Sequence, residues 1–145
     1  MTTPAAPMPS IHATAVLVGS RAVLIRGPAG SGKSALALAL LRERPFARLI
    51  ADDRVIVSNA SGRLVAAAPA ATAGLIEVRG VGIIPVPYEP AGVVGWVVDL
   101  AAADAERLPP DEACTTIMDV TVRRIAVAGG VPPLPMLLAV IGATE

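Results

Sequence analysis

Eight residues, "GPAGSGKS" from Gly27 to Ser34, carry the clearest chemistry in this sequence. They fit the spacing G-x-x-x-x-G-K-[ST], with Gly27, Gly32, Lys33 and Ser34 in the fixed places. Glycines let a backbone wrap tightly enough for its N–H groups to converge on phosphate oxygens. Pro28, Ala29, Gly30 and Ser31 complete the wrap. Lys33 can reach the β- and γ-phosphates of a nucleotide, and the Ser34 hydroxyl can hold Mg²⁺. Of the twelve basic residues Lys33 is the lysine and the other eleven are arginines. That distinction suits a site needing a compact, mobile ammonium.

Phosphate chemistry also needs an acid. Three apolar runs end in one: "RLIADD" (Asp52, Asp53), "WVVDL" (Asp99) and "TIMDV" (Asp119). Pattern alone does not choose among them, and Asp99 and Asp119 read mostly as structural. The adjacent pair is the oddest, because two neighbouring carboxylates repel unless a cation or hydrogen bonds stabilise them. In a strand they point to opposite faces, so at most one faces the phosphates directly. "EVRG" places Glu77 and Arg79 two apart, on one face of extended chain. They can serve Mg²⁺ and phosphate, or form an ordinary surface ion pair. His12 is the single histidine. It reads either as a surface or core residue or as a neighbour of the phosphates.

These residues need elements to hold them. "IHATAVLVGSRAVLIRG" predicts a β-hairpin, Ile11–Val18 and Ala22–Arg26, whose second strand runs into Gly27. Residues Ser31–Arg44 predict a helix that stops before Pro45. Strand, glycine loop, helix is the context a phosphate loop requires. "RLIA" predicts a strand, and "RVIVS" and "RLVAAA" around "NASG" a hairpin. "TAGLIEVRG" begins with a short helical turn. "GIIPVP" is extended, and its prolines keep it out of a sheet centre. "GVVGWVVDL" is an apolar strand, "AAADAERLPPDEA" a turn of helix and loop, and "TTIMDVTVRRIAV" one or two strands. "PPLPMLLAVIGA" must pack somewhere.

Composition narrows the field. The 145 residues suit one domain, over 11–145, after a disordered lead over 1–10. Twelve acids balance twelve bases, which argues against a nucleic-acid partner. No apolar run approaches the roughly 20 residues of a spanning helix, so no membrane insertion is expected. One cysteine forms no internal disulfide, and a cytoplasmic setting follows.

"IHATAVLV … VLIRGPAGSGKSALALALL … RLIADDRVIV … LIEVRGVGII" resembles the catalytic, C-terminal domain of HPr kinase/phosphorylase. It is similar to the compact form found in alphaproteobacteria. The resemblance runs from Ile11 to Val86 and more weakly through "DAERL" and "TIMDVTVRRIAV". It implies an α/β fold of the phosphoenolpyruvate-carboxykinase-like type, a mixed sheet around the P-loop with flanking helices. It implies ATP and Mg²⁺, and a serine of HPr, the phosphocarrier of the sugar phosphotransferase system, as acceptor. It assigns Asp53 as general base, Lys33 as phosphate ligand, Ser34 and Glu77 as Mg²⁺ ligands, and His12 and Arg107 as active-site residues. The family ties dephosphorylation to a basic, glycine-containing segment. "AVAGGVPPL" stands there without a base, so the kinase direction alone is expected. A small-molecule P-loop kinase and a non-catalytic nucleotide sensor are the alternatives, and homo-oligomerisation stays open.

Overall fold

The computed structural model describes residues 9–110 and 113–144. Its strands are β1 (Ser10–His12), β2 (Thr14–Val18), β3 (Arg21–Arg26), β4 (Arg48–Ala51), β5 (Arg54–Ala60), β6 (Arg63–Ala67), β7 (Leu75–Val78), β8 (Gly82–Pro85), β9 (Ala91–Asp99), β10 (Cys114–Ile117) and β11 (Val120–Ala126). Two helices, α1 (Lys33–Glu43) and α2 (Pro133–Thr144), complete it with a 3₁₀ turn at Ala70–Thr72.

Nine strands form one sheet in the order β1-β5-β6-β9-β3-β2-β4, with β11 and then β10 added beside β9. Strand β9 pairs in parallel with both β3 and β11, and the remaining pairs in this sheet are antiparallel. The sheet is therefore mixed. Strands β7 and β8 form a separate antiparallel pair.

The central strands are apolar on both faces, as buried strands must be. On β3, Val23 and Ile25 join a core with Leu36, Leu40, Leu137 and Ile141 from the two helices. Ala22 and Leu24 face the other way, into a core with Val55, Val57, Leu64 and Val97. On α1 the buried positions are Lys33, Leu36, Ala37 and Leu40, the spacing of one helical face.

Several elements differ from the sequence expectations. Helix α1 begins at Lys33 because Gly32 has φ 99°, a left-handed conformation that no helix contains. Arg44 before Pro45 is extended and ends it. The expected strand Ile11–Val18 breaks at Ala13, whose N–H reaches the Asp53 carbonyl. Its first piece, β1, pairs with β5 instead of continuing the hairpin. Ser10, expected in the lead, belongs to that strand, and residues 1–8 lie outside the described residues. The segment 100–110 makes turns and no helix, as its paired prolines require. Residues 111–112 lie outside the described residues. The C-terminal apolar segment is α2, with Pro133 and Pro135 in the first turn, where a missing N–H costs nothing.

Candidate active site

The C-terminal ends of parallel strands are where open α/β sheets bind ligands. Here Arg26, the last residue of β3, hands the chain to Gly27. A network fixes that point. Arg26 donates from Nε and Nη2 to the two oxygens of Asp99, at 2.7 and 2.8 Å. Arg124 Nε donates to Asp99 at 2.6 Å, and its Nη atoms reach both oxygens of Asp104. Burial alone would raise the Asp99 pKa. The hydrogen bonds and charges of the two arginines outweigh it and hold the carboxyl below its ordinary value. Asp99 thus braces β3, β9 and β11 beneath the loop.

Gly27 sits against Leu100. A Cβ there would lie 2.5 Å from Ser31 Oγ and 3.1 Å from Leu100 Cβ, so only glycine fits. Gly30 and Gly32 take φ values of 79° and 99°. The buried Lys33 ammonium donates to the carbonyls of Gly27 and Pro28, at 2.9 and 3.2 Å. Ser31 Oγ is buried and, among the described residues, has no hydrogen-bond partner. A buried hydroxyl without a partner in a glycine-lined loop fits a phosphate oxygen.

The two aspartates occupy a tight bend between β4 and β5. Asp53 has φ 70°, and Arg54 N–H bonds back to the Asp52 carbonyl at 2.8 Å. An i to i+2 bond with positive φ is a γ-turn of the rare, strained kind. The bend breaks strand alternation, so the pair does not simply divide between two faces. Asp52 is buried at 8% exposure. It accepts from Ser34 Oγ (2.6 Å), Thr14 Oγ1 (3.0 Å) and the Glu77 backbone N–H (3.0 Å). The Asp53 side chain is 74% exposed and bonds to His12 Nε2 at 2.7 Å. The two carboxylates therefore have different surroundings, Asp52 buried against Ser34 and Asp53 exposed beside His12.

A cleft of about 460 Å³ joins these groups. Gly30, Gly32, Lys33 and Ser34 line its loop side, His12 and Asp53 another side, and Glu77 and Arg79 its rim. His12 arrives on β1, whose register sets it opposite Arg54, beside Asp53. Arg107 is exposed and is not among the lining residues. Its segment leaves Leu100 toward β11, where Ala102 N–H bonds to Val127 and Asp104 is drawn to Arg124. Asp119 lies in the β10–β11 turn. The buried role of Asp52 and the presence of Thr14 were missing from the sequence reading. The doubled acid was the one signal available for the first, and nothing marked the second.

The residues fit nucleotide and Mg²⁺. Ser34 and Asp52 place hard oxygen donors together beside the loop, and Glu77 lines the same cleft as Ser34. No group of three or more His, Cys, Asp or Glu forms a metal cage among the described residues. Mg²⁺ commonly uses one or two protein ligands with phosphates and water instead.

Residues 4–130 match the family model of the HPr Serine kinase C-terminal domain. The chain belongs to that family. It is 37% identical over 131 residues to an HPr kinase/phosphorylase of Clostridium tetani, covering 83% of this chain and 42% of that protein. An HPr kinase/phosphorylase of Clostridium acetobutylicum is 35% identical over the same shares. The chain thus spans less than half the length of these curated relatives. The solved structure of the Hpr(Ser) kinase/phosphatase from Coxiella burnetii superposes with a TM-score of 0.77 at 24% identity, over 94% of this chain and 89% of that one. This confirms the expected α/β architecture.

Proposed function

We propose that this chain is the catalytic domain of a serine protein kinase that moves the γ-phosphoryl group of ATP to HPr or an HPr-like phosphocarrier. The observation that carries the reading is the convergence of the glycine loop, the Ser34–Asp52 pair and the His12–Asp53 pair on one cleft. The chain's similarity to HPr kinase/phosphorylases supports the acceptor class.

Loop N–H groups and Lys33 bind and orient the phosphates. Mg²⁺, held at Ser34 with Asp52 or Glu77 beside it, would neutralise phosphate charge. Asp53 takes the proton from the acceptor serine Oγ as that oxygen bonds to phosphorus and the bond to the β–γ bridging oxygen breaks, releasing ADP. His12 orients the Asp53 carboxylate through their hydrogen bond. Arg79 on the rim can meet phosphate charge. Phosphoryl transfer depends mainly on positioning and charge neutralisation, which this arrangement supplies. The kinase direction is proposed without the phosphorylase direction, and a cytoplasmic setting goes with an HPr substrate. No helix among the described residues is long and apolar enough to cross a membrane.

The test is HPr-dependent ADP release with Mg-ATP, followed by intact-mass measurement of HPr. One added phosphoryl group, mapped to a serine, supports the proposal. ATP binding with no transfer to HPr contradicts it and favours the sensor reading. Transfer to a small hydroxyl compound in place of HPr favours a small-molecule kinase.

A further inference from the structure

Strand β9 changes neighbours along one edge. Its residues 91–93 pair with β6, and from Trp96 onward it pairs with β11. Gly95 lies at the fork. On the opposite edge the register with β3 slips there, since Ala22 faces Val94 and Val23 faces Trp96. Such a slip marks a bulge and bends the strand. Between the diverging β6 and β11 lies a second cavity, about 210 Å³ in volume.

Three arginines line it: Arg21 at the start of β3, Arg63 at the start of β6 and Arg123 on β11. No acid lines it. Among the described residues, none of the three arginines forms an ion pair or side-chain hydrogen bond. Arg26 and Arg124, by contrast, are fully engaged with aspartates. The cavity is also built. A Cβ on Gly95 would lie 2.8 Å from Arg21 Cδ and 3.0 Å from Arg21 Cβ, so this glycine makes room for the Arg21 stem. Asn59 Nδ2 donates to the Met118 carbonyl at 2.9 Å. That bond ties the end of β5 to the β10–β11 turn beside the fork. Thr121 adds a hydroxyl to the lining.

Three arginines, all exposed and with no acid lining the same cavity, give it a positive potential that attracts anions. Their planar forks match the oxygens of phosphate and carboxylate groups. We infer that this fork is a binding site for a small ligand carrying two or more oxyanion groups, separate from the nucleotide site. Strand β3 separates the two sites. Arg21 begins it and Arg26 ends it before the loop, a span of roughly 17 Å at strand rise.

Amide NMR of the whole chain tests this, with inorganic pyrophosphate as the probe and citrate in a parallel arm. The phosphate loop will also respond to pyrophosphate, so the two sites are read by their own amides. The expected result is saturable shifts at Gly62, Gly95 and Thr121, with a midpoint different from that of Gly30–Lys33. In Arg63→Gln and Arg123→Gln the fork amides lose affinity at least roughly tenfold, while the loop amides keep theirs. The unchanged loop response shows that the variants are folded. A response to citrate at the fork assigns a carboxylate ligand, and a response to pyrophosphate alone assigns a phosphorylated one. Fork amides that stay still in both arms, or that respond equally in the variants, overturn the inference. That outcome leaves the kinase reading untouched, because the loop amides and HPr transfer test it separately.

Discussion

At the residue scale, the site works by giving neighbouring groups unequal surroundings. Lys33 is buried with its ammonium on loop carbonyls, and the proposed function has it bind phosphate. Lys33→Ala is expected to weaken ATP binding by roughly tenfold or more and to slow transfer as well. Titration calorimetry with an ATP analogue checks it, and unchanged affinity would count against the loop assignment. The sequence showed this part of the site because the residue types and spacing of a phosphate loop are local. It also marked the Asp52–Asp53 pair as unusual. It could not divide their roles, since that division depends on a bend and on Thr14 and Glu77 arriving from elsewhere. Arg107 shows the opposite limit. A short stretch of similarity suggested an active-site arginine; in the structure its side chain is exposed and does not line the cleft.

At the element scale, two devices hold the site in shape. The first is the γ-turn at Asp53. Its positive φ is strained for a side chain with a branched Cβ and acceptable for glycine. Asp53→Gly should therefore match or exceed the wild-type melting temperature while losing transfer. Asp53→Val should lose about 1–2 kcal/mol of stability. Equal melting points for the two variants would argue against strain at this bend. The second device is the Asp99 brace. Its carboxyl titrates below the unfolded value of roughly 3.9. The stability it contributes is thus present above that pH and lost as pH falls through the folded value. Asp99→Asn should cost about 2 kcal/mol near neutrality, because two guanidinium groups lose their anion. The gap to wild type should narrow below pH about 4. Urea unfolding at several pH values measures this, and a pH-independent gap would contradict it. The strands and helix α1 were legible from apolar runs and turn residues. The break at Ala13 was not, because its cause is a long-range bond to Asp53.

At the scale of the whole molecule, the mixed sheet separates two cores and sets the phosphate loop at the end of its parallel strands. The strand order was not readable, since β9 sits beside elements remote in sequence. We propose that residues 11–145 form one domain. Leu40 is fully buried between the sheet and the helices. Leu40→Ala should cost about 3 kcal/mol and keep a single unfolding transition. Two resolved transitions by calorimetry would contradict a single domain. The central claim is that phosphates held by the loop meet an acceptor serine facing Asp53. The most direct measurement compares wild type with Asp53→Asn for ATP-analogue affinity and for HPr phosphorylation. Asp53→Asn is expected to leave affinity unchanged and to reduce transfer by roughly 100-fold or more. Transfer at the wild-type rate in Asp53→Asn would contradict it.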